Sequence, residues 1–194
     1  MLNKYPNLRT KTVEISTADA EKLFKDNRLD LFVGNRITLP NVSSTSIYLD
    51  HQVLVLSKNS KLYQKDKSVI TYNENDLSKI NHEDFIFVDS EKRYQNIINN
   101  YFADIGISFY PRIHVRDSMT ALKLTCLGLG DMAMSSKVIR YFKNQPVNFV
   151  KLPISKTGID FSVSIKINPV LNDAQSFLVK ILTENFENKI LNFM

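Results

Sequence analysis

The stretch Arg116–Ser136, RDSMTALKLTCLGLGDMAMSS, reads as a helix, a Gly-Leu-Gly turn and a short apolar strand. Met119, Leu122, Cys126, Leu127 and Leu129 fall at helical spacing and are expected to face the core. Asp117 or Ser118 can accept hydrogen bonds from the first free N–H groups of the helix. Gly128 and Gly130 can take left-handed backbone angles and end it sharply. Met132–Met134 then continues as a buried strand. Such a joint is half of an α/β unit, and free N–H groups at its helix start suit an anion.

Outward from this joint, the same alternation of strand and helix recurs. Leu8–Ile15, rich in Thr, Val and Ile, predicts a strand. Ser16-Thr17 then starts a short helix with Ala20, Leu23 and Phe24 inward, either hydroxyl serving as N-cap, and Leu29–Val33 is an apolar strand. Residues 8–34 therefore predict a parallel strand–helix–strand unit. Val53-Leu54-Val55-Leu56 reads as a core strand, and the polar, basic run 58–75 as surface. A second cycle begins with Phe85–Val88 as strand. In the helix that follows, Tyr94, Ile97, Ile98, Tyr101 and Phe102 form a stripe of helical period. Pro111–Val115 leads as a strand into the opening stretch; Val147–Leu152 and Ile159–Ile167 are further strands. Asp173–Phe193 is a long amphipathic helix with Phe177, Leu178, Ile181 and Leu182 on one side.

These elements predict an α/β fold of two lobes, with mostly parallel sheets and a cleft between the lobes. Residues 1–57 and 164–194 are expected to form the first lobe and residues 58–163 the second. The chain has 194 residues, 43% apolar and 23% charged, values usual for a soluble globular protein. No apolar run approaches the roughly 18–20 residues that span a bilayer, and the opening MLNKYPNLRTKT lacks the apolar segment of a secretory signal. The single Cys126 excludes an internal disulfide and points to a reducing cytoplasm. The net charge of +5 comes from scattered lysines and arginines, with no compact basic block and no helix-turn-helix pattern. His51, His82 and His114 lie far apart, so no metal site is expected. The Gly-Leu-Gly turn follows a helix rather than a strand, which excludes a dinucleotide loop. No G-x-x-x-x-G-K, G-x-S-x-G or C-x-x-C occurs. Nothing local marks an enzyme or a cofactor site.

Four stretches, in this order, resemble the effector-binding domain of LysR-type transcriptional regulators: YPNLRTKTVEIST, LFKDNRLDLFVG, HQVLVLSKNSKL and SMTALKLTCLGLGDMAMSS. The resemblance implies a two-lobed fold like that of type 2 periplasmic binding proteins, sensing an unidentified small-molecule effector. It also implies a homodimer, made in part by the helix around Tyr94–Ile105. The family's winged helix-turn-helix, linker helix and first strand–helix turn have no counterpart in this sequence. DNA would therefore be reached only through a domain outside it, and no membrane is involved. Asp131 and Ser135 stand where the family more often has an apolar residue and a proline.

Matched to the family's spacing, Thr17 faces the cleft and bonds an effector oxygen, a role compatible with capping its helix. Asn35 follows a strand at its carboxyl end, where ligands of open α/β sheets gather, and could equally be a turn residue. Asp89 and Ser90 occupy the corresponding mouth of the second lobe, or simply cap a helix. There Asp89 would favour an amine or a neutral ligand over a carboxylate. Ser118 and the turn Gly130-Asp131 are expected to close the remaining side of that mouth. Two other readings stay open, a stand-alone solute-binding protein of the same fold and a small α/β enzyme.

Overall fold

A computed structural model of the chain describes residues 4–80, 84–89, 92–108, 111–142, 144–167 and 173–190. In order, the elements are α1 (Thr17–Lys25), β1 (Leu31–Asn35), β2 (Val42–Asp50), β3 (Gln52–Ser57), β4 (Val69–Ile70), α2 (Glu74–Leu77) and β5 (Ile86–Val88). They continue with α3 (Lys92–Asp104), β6 (Ile113–Val115), α4 (Ser118–Leu127), β7 (Met132–Ser135), α5 (Ile139–Phe142), β8 (Val147–Lys151), α6 (Ile154–Thr157), β9 (Ile159–Lys166) and α7 (Asp173–Ile190). The chain divides into two compact units, Met1–Leu49 with Asp160–Met194, and Asp50–Ile159. It passes between them at 49/50 and 159/160, not at the expected 57/58 and 163/164. The shift moves β3 into the second unit, because β3 pairs with β7 on one side and β8 on the other.

In the first unit the sheet order is β1-β9-β2. Ser16 accepts the Asp19 N–H at 3.1 Å and so starts α1, whose Ala20 and Phe24 turn inward. They pack with Ile37 and Val42 into a small core, edged by Ile15, Leu29, Phe32 and Leu39. Leu8–Ile15 joins no ladder among the described residues, so the expected parallel crossover over 8–34 does not form. Its Thr, Val and Ile content favours extended chain, but a strand needs a partner for its backbone groups. The one neighbour of β1 in the sheet is β9, which runs antiparallel with Leu31 opposite Ile165 and Asn35 opposite Phe161.

In the second unit β3 lies within the order β4-β8-β3-β7. A parallel bridge, Phe85 to Asp131, joins β7 to the β5–β6 pair. All of β3 is buried. Val53 and Val55 pack with Met132, Phe149 and Leu122 of α4, while Leu54 and Leu56 pack with Val150, Ile98 and Phe102 of α3. Alternate side chains thus fill two cores on opposite faces of one sheet, as a continuous apolar run requires. The sheets are mixed, not mostly parallel: β1–β9, β3–β7 and β3–β8 are antiparallel, while β4–β8 and β5–β6 are parallel. One residue, His51, separates β3 from β2. With no crossover helix before it, β3 is free to run against its neighbours.

The opening stretch folds as its sequence suggests, with one correction. Leu122 is buried, but the rest of the buried face of α4 is Ala121 and Thr125, while Met119, Leu127 and Leu129 are 46%, 66% and 52% exposed. Cys126 is half-buried, and burial pushes its thiol pKa up. Apolar residues ring this helix, so periodicity alone does not choose the face that meets the sheet.

Candidate functional site

Strands β5, β6 and β7 run in the same direction, so their carboxyl ends lie together. Such ends are where ligands of open α/β sheets collect. Asp89 follows β5, and its carboxylate lies 2.9 Å from Nδ1 of His114 on β6. The His114 ring also stands edge-on to Phe87. Ser118 is the first residue of α4, just beyond β6, and is half-buried. Asp89 and Ser118 thus each follow one of two adjacent parallel strands, β5 and β6. Ser90 lies outside the described residues.

Asp117 caps α4 rather than Ser118. Its carboxylate accepts the Thr120 N–H at 2.8 Å and the Thr120 hydroxyl at 2.7 Å. These bonds, first that of the hydroxyl, hold the Asp117 pKa below the usual carboxylate range. The helix start thus already carries a negative charge, and with Asp89 beside it the mouth disfavours an anion. The Ser118 hydroxyl makes no hydrogen bond to the described residues, which leaves it available to a ligand.

Gly130 and Asp131 do not close this mouth. Asp131 pairs with Phe85, at the amino end of β5, about 13 Å of strand away from Asp89. Its carboxylate is 3% exposed and accepts the Ser57 N–H at 2.7 Å. Burial pushes its pKa up to about 6, against the lowering effect of that bond. Its own N–H donates to the Asp84 carbonyl at 2.6 Å, and Ile86 N–H donates to its carbonyl at 2.8 Å. Asp131 is thus a buried staple between the end of β3, β5 and the Gly-Leu-Gly turn. The turn itself ends α4 as a left-handed cap: Gly128 has φ 89°, and Leu129 N–H reaches back to the Leu124 carbonyl at 3.1 Å. A Cβ on Gly130 would meet the Asp84 carbonyl oxygen at 2.4 Å, so glycine is needed for this close approach.

In the first unit the cap of α1 is Ser16, which leaves Thr17 as a half-buried first-turn residue. Asn35 is the last residue of β1 and is half-buried opposite Phe161. Beside it, Arg36 pairs with Asp160 at 3.0 Å, and Asp160 also accepts from Ser46 at 2.5 Å.

Two further groups stand at the same end of the second unit's sheet. His114 is one; its outward turn follows from alternation between Ile113 and Val115. The other is a polar cluster at the start of β3. Ser135, paired with Gln52, donates its hydroxyl to Asp50 at 3.0 Å. Burial raises the Asp50 pKa, against the effect of this bond. The Tyr94 hydroxyl of α3 donates to the side-chain amide oxygen Oε1 of the fully buried Gln52. The unusual Ser135 was the sequence signal for this cluster, whereas Asp50 and Gln52 carry no motif. Among the described residues no group of three or more His, Cys, Asp or Glu could hold a metal. No helix among them is long and apolar enough to cross a membrane.

The LysR substrate binding domain family matches residues 1–170. The chain belongs to this family. As a LysR substrate-binding domain it shares its fold with solved regulators. One is the regulatory domain of CcmR from Synechocystis PCC6803, solved in complex with 2-PG. The two are 13% identical, with 96% of this chain and 88% of that one covered and a TM-score of 0.77. Another is the effector binding domain of a BenM variant, 19% identical, with 97% and 85% covered and a TM-score of 0.74. A third is full-length CbnR complexed with its target DNA, 14% identical, with a TM-score of 0.72. The chain covers 63% of that longer protein. No curated protein sequence matches.

Proposed function

We propose that this LysR substrate-binding domain is the small-molecule-sensing and dimerisation domain of a cytoplasmic transcriptional regulator, and that it does no catalysis. The observation that carries the reading is the joined carboxyl end of β5, β6 and β7, which presents Asp89 with His114 and the uncommitted Ser118 hydroxyl. The effector binds at this mouth, and Thr17 and Asn35 remain the candidate effector contacts of the first unit. Two carboxylates, Asp89 and Asp117, favour a neutral hydroxylated effector or an amine over a simple carboxylic acid. Dimerisation uses α3, and DNA is contacted by a winged helix-turn-helix belonging to the same regulator.

A thermal-shift panel of polyols, amines, amino acids and organic acids tests this reading. A saturating effector at 100–1,000 times its Kd is expected to add about 2.7–4.1 kcal/mol of stability. Ser118→Ala and Asp89→Asn should remove the shift. A shift that survives both substitutions would place the effector elsewhere. For the dimer, Asn96→Arg and Asn100→Arg on the exposed face of α3 should lower the mass seen by light scattering. An unchanged dimer would exclude α3.

A further inference from the structure

A second concave site lies within the second unit, beside the carboxyl end of β8. It is a cavity of about 650 Å³ between the turn after β4, helix α3 and the turn from β8 into α6. Small-molecule sites commonly measure about 300–1,000 Å³. Along the sheet, β8 lies three strands, or about 14 Å, from β5.

Three groups on this cavity lack partners. Tyr101 lines it and is 3% exposed, with its ring edge-on against Phe102. Its hydroxyl makes no hydrogen bond to the described residues. The ring is buried, but the hydroxyl oxygen is not fully so and opens to the cavity, where a ligand can reach it. Burial pushes the Tyr101 pKa up and the nearby Glu74 carboxylate adds to the rise, so the phenol keeps its proton and can donate or accept. Glu74 and Lys151 line the same cavity as exposed residues, and neither forms an ion pair among the described residues. The hydroxyl of Tyr72, in contrast, is already committed, to the Leu62 carbonyl and the Gln64 amide, both at 2.7 Å. Its ring, with Leu77 and Pro153, supplies apolar wall.

An unpaired cation and an unpaired carboxylate on one cavity, with a proton-bearing hydroxyl between apolar walls, suit a ligand that carries both charges. We propose that this cavity binds a small zwitterion of the amino-acid class. Lys151 holds its carboxylate, Glu74 its ammonium group, and the Tyr101 hydroxyl gives a further hydrogen bond. The apolar body of the ligand rests on Tyr72, Leu77 and Pro153. The site is separate from the effector mouth and lies wholly within one unit.

Titration calorimetry and amide chemical-shift mapping on the full chain test the proposal, with L-leucine and L-phenylalanine as probes. The controls are 3-phenylpropionate and phenethylamine, each lacking one charge. The amino acids should perturb the amides of Tyr72, Glu74, Tyr101 and Lys151, and the controls should bind on the order of tenfold more weakly. Glu74→Gln and Lys151→Gln should each weaken amino-acid binding by a similar factor. Tyr101→Phe keeps the packed ring and should weaken binding with little change in Tm. No perturbation at these amides would overturn the proposal. So would single-charge controls that bind as tightly as the amino acids, or amino-acid binding that is lost in Ser118→Ala but kept in Lys151→Gln.

Discussion

The central strands of the two units carry different chemistry. In the second unit β3 buries Val53, Leu54, Val55 and Leu56, which feed two apolar cores on opposite faces. In the first unit β9 buries Ser162, Val163 and Ser164. Those serine hydroxyls turn to one another and to Ser44, with Ser44 to Ser164 at 2.8 Å and Ser162 to Ser164 at 3.4 Å. The apolar core cluster described in this unit is Ala20, Phe24, Ile37 and Val42, and none of the described side chains of the long helix α7 is fully buried. Hydrophobic burial scales with apolar area removed from water, so the second unit holds most of the stabilising surface. The first unit is the more dependent one and is expected to open at lower free energy.

The largest effect that would break this comparison is in the cores. Leu54→Ala should cost about 2–5 kcal/mol in urea unfolding. Leu178→Ala, on half-buried α7, should cost less than half as much. Equal losses would show that the serine-lined unit is as tightly packed as the other. Native-state hydrogen exchange sharpens the same point, since amides of β1 and β9 should exchange before those of β3 and β8.

Titration separates the units next. The folded pKa of Asp131, about 6, stands above its unfolded value of 3.8. Between these values the folded chain keeps a proton that the unfolded chain has lost. Stability is therefore greatest below about pH 4 in this respect, and falls as pH rises through 6. The loss amounts to about 3 kcal/mol. Buried Asp50 acts in the same direction. Asp131→Asn should flatten most of this slope and raise stability at pH 7. An unchanged profile would mean that the Ser57 N–H outweighs burial. The smallest expected effect is local to the first unit. Ser16→Ala should cost about 1 kcal/mol, and hydrogen exchange should place the loss in α1 while β3 is unaffected.

Much of the second unit was legible in the sequence. The run Val53–Leu56 has no polar interruption, so only a strand buried on both faces can hold it. The glycines at 128 and 130 bracket a turn, and Phe85–Val88 followed by a helical stripe announces a strand and its helix. Less of the site was legible. Asp89 and Ser118 could each be placed just after a strand, because a helix follows each strand. Asp131 was misplaced, since sequence order does not say which end of a neighbouring strand a turn meets. The partnership of His114 with Asp89 joins residues from separate elements and has no local signature. The same holds for the Asp50–Ser135 bond.

The sequence by itself determined the α/β alternation, the capped helix and Gly-Leu-Gly turn of Arg116–Ser136, the core strand β3 and the family. These features depend on local sterics and on periodicity, which neighbouring residues set. Only the tertiary structure decided which face of α4 is buried, that Leu8–Ile15 joins no strand among the described residues, that the sheets are mixed, and that Asp131 is a staple. Those outcomes depend on which strand edges and helix faces meet, and backbone pairing and burial are settled between distant segments rather than within them.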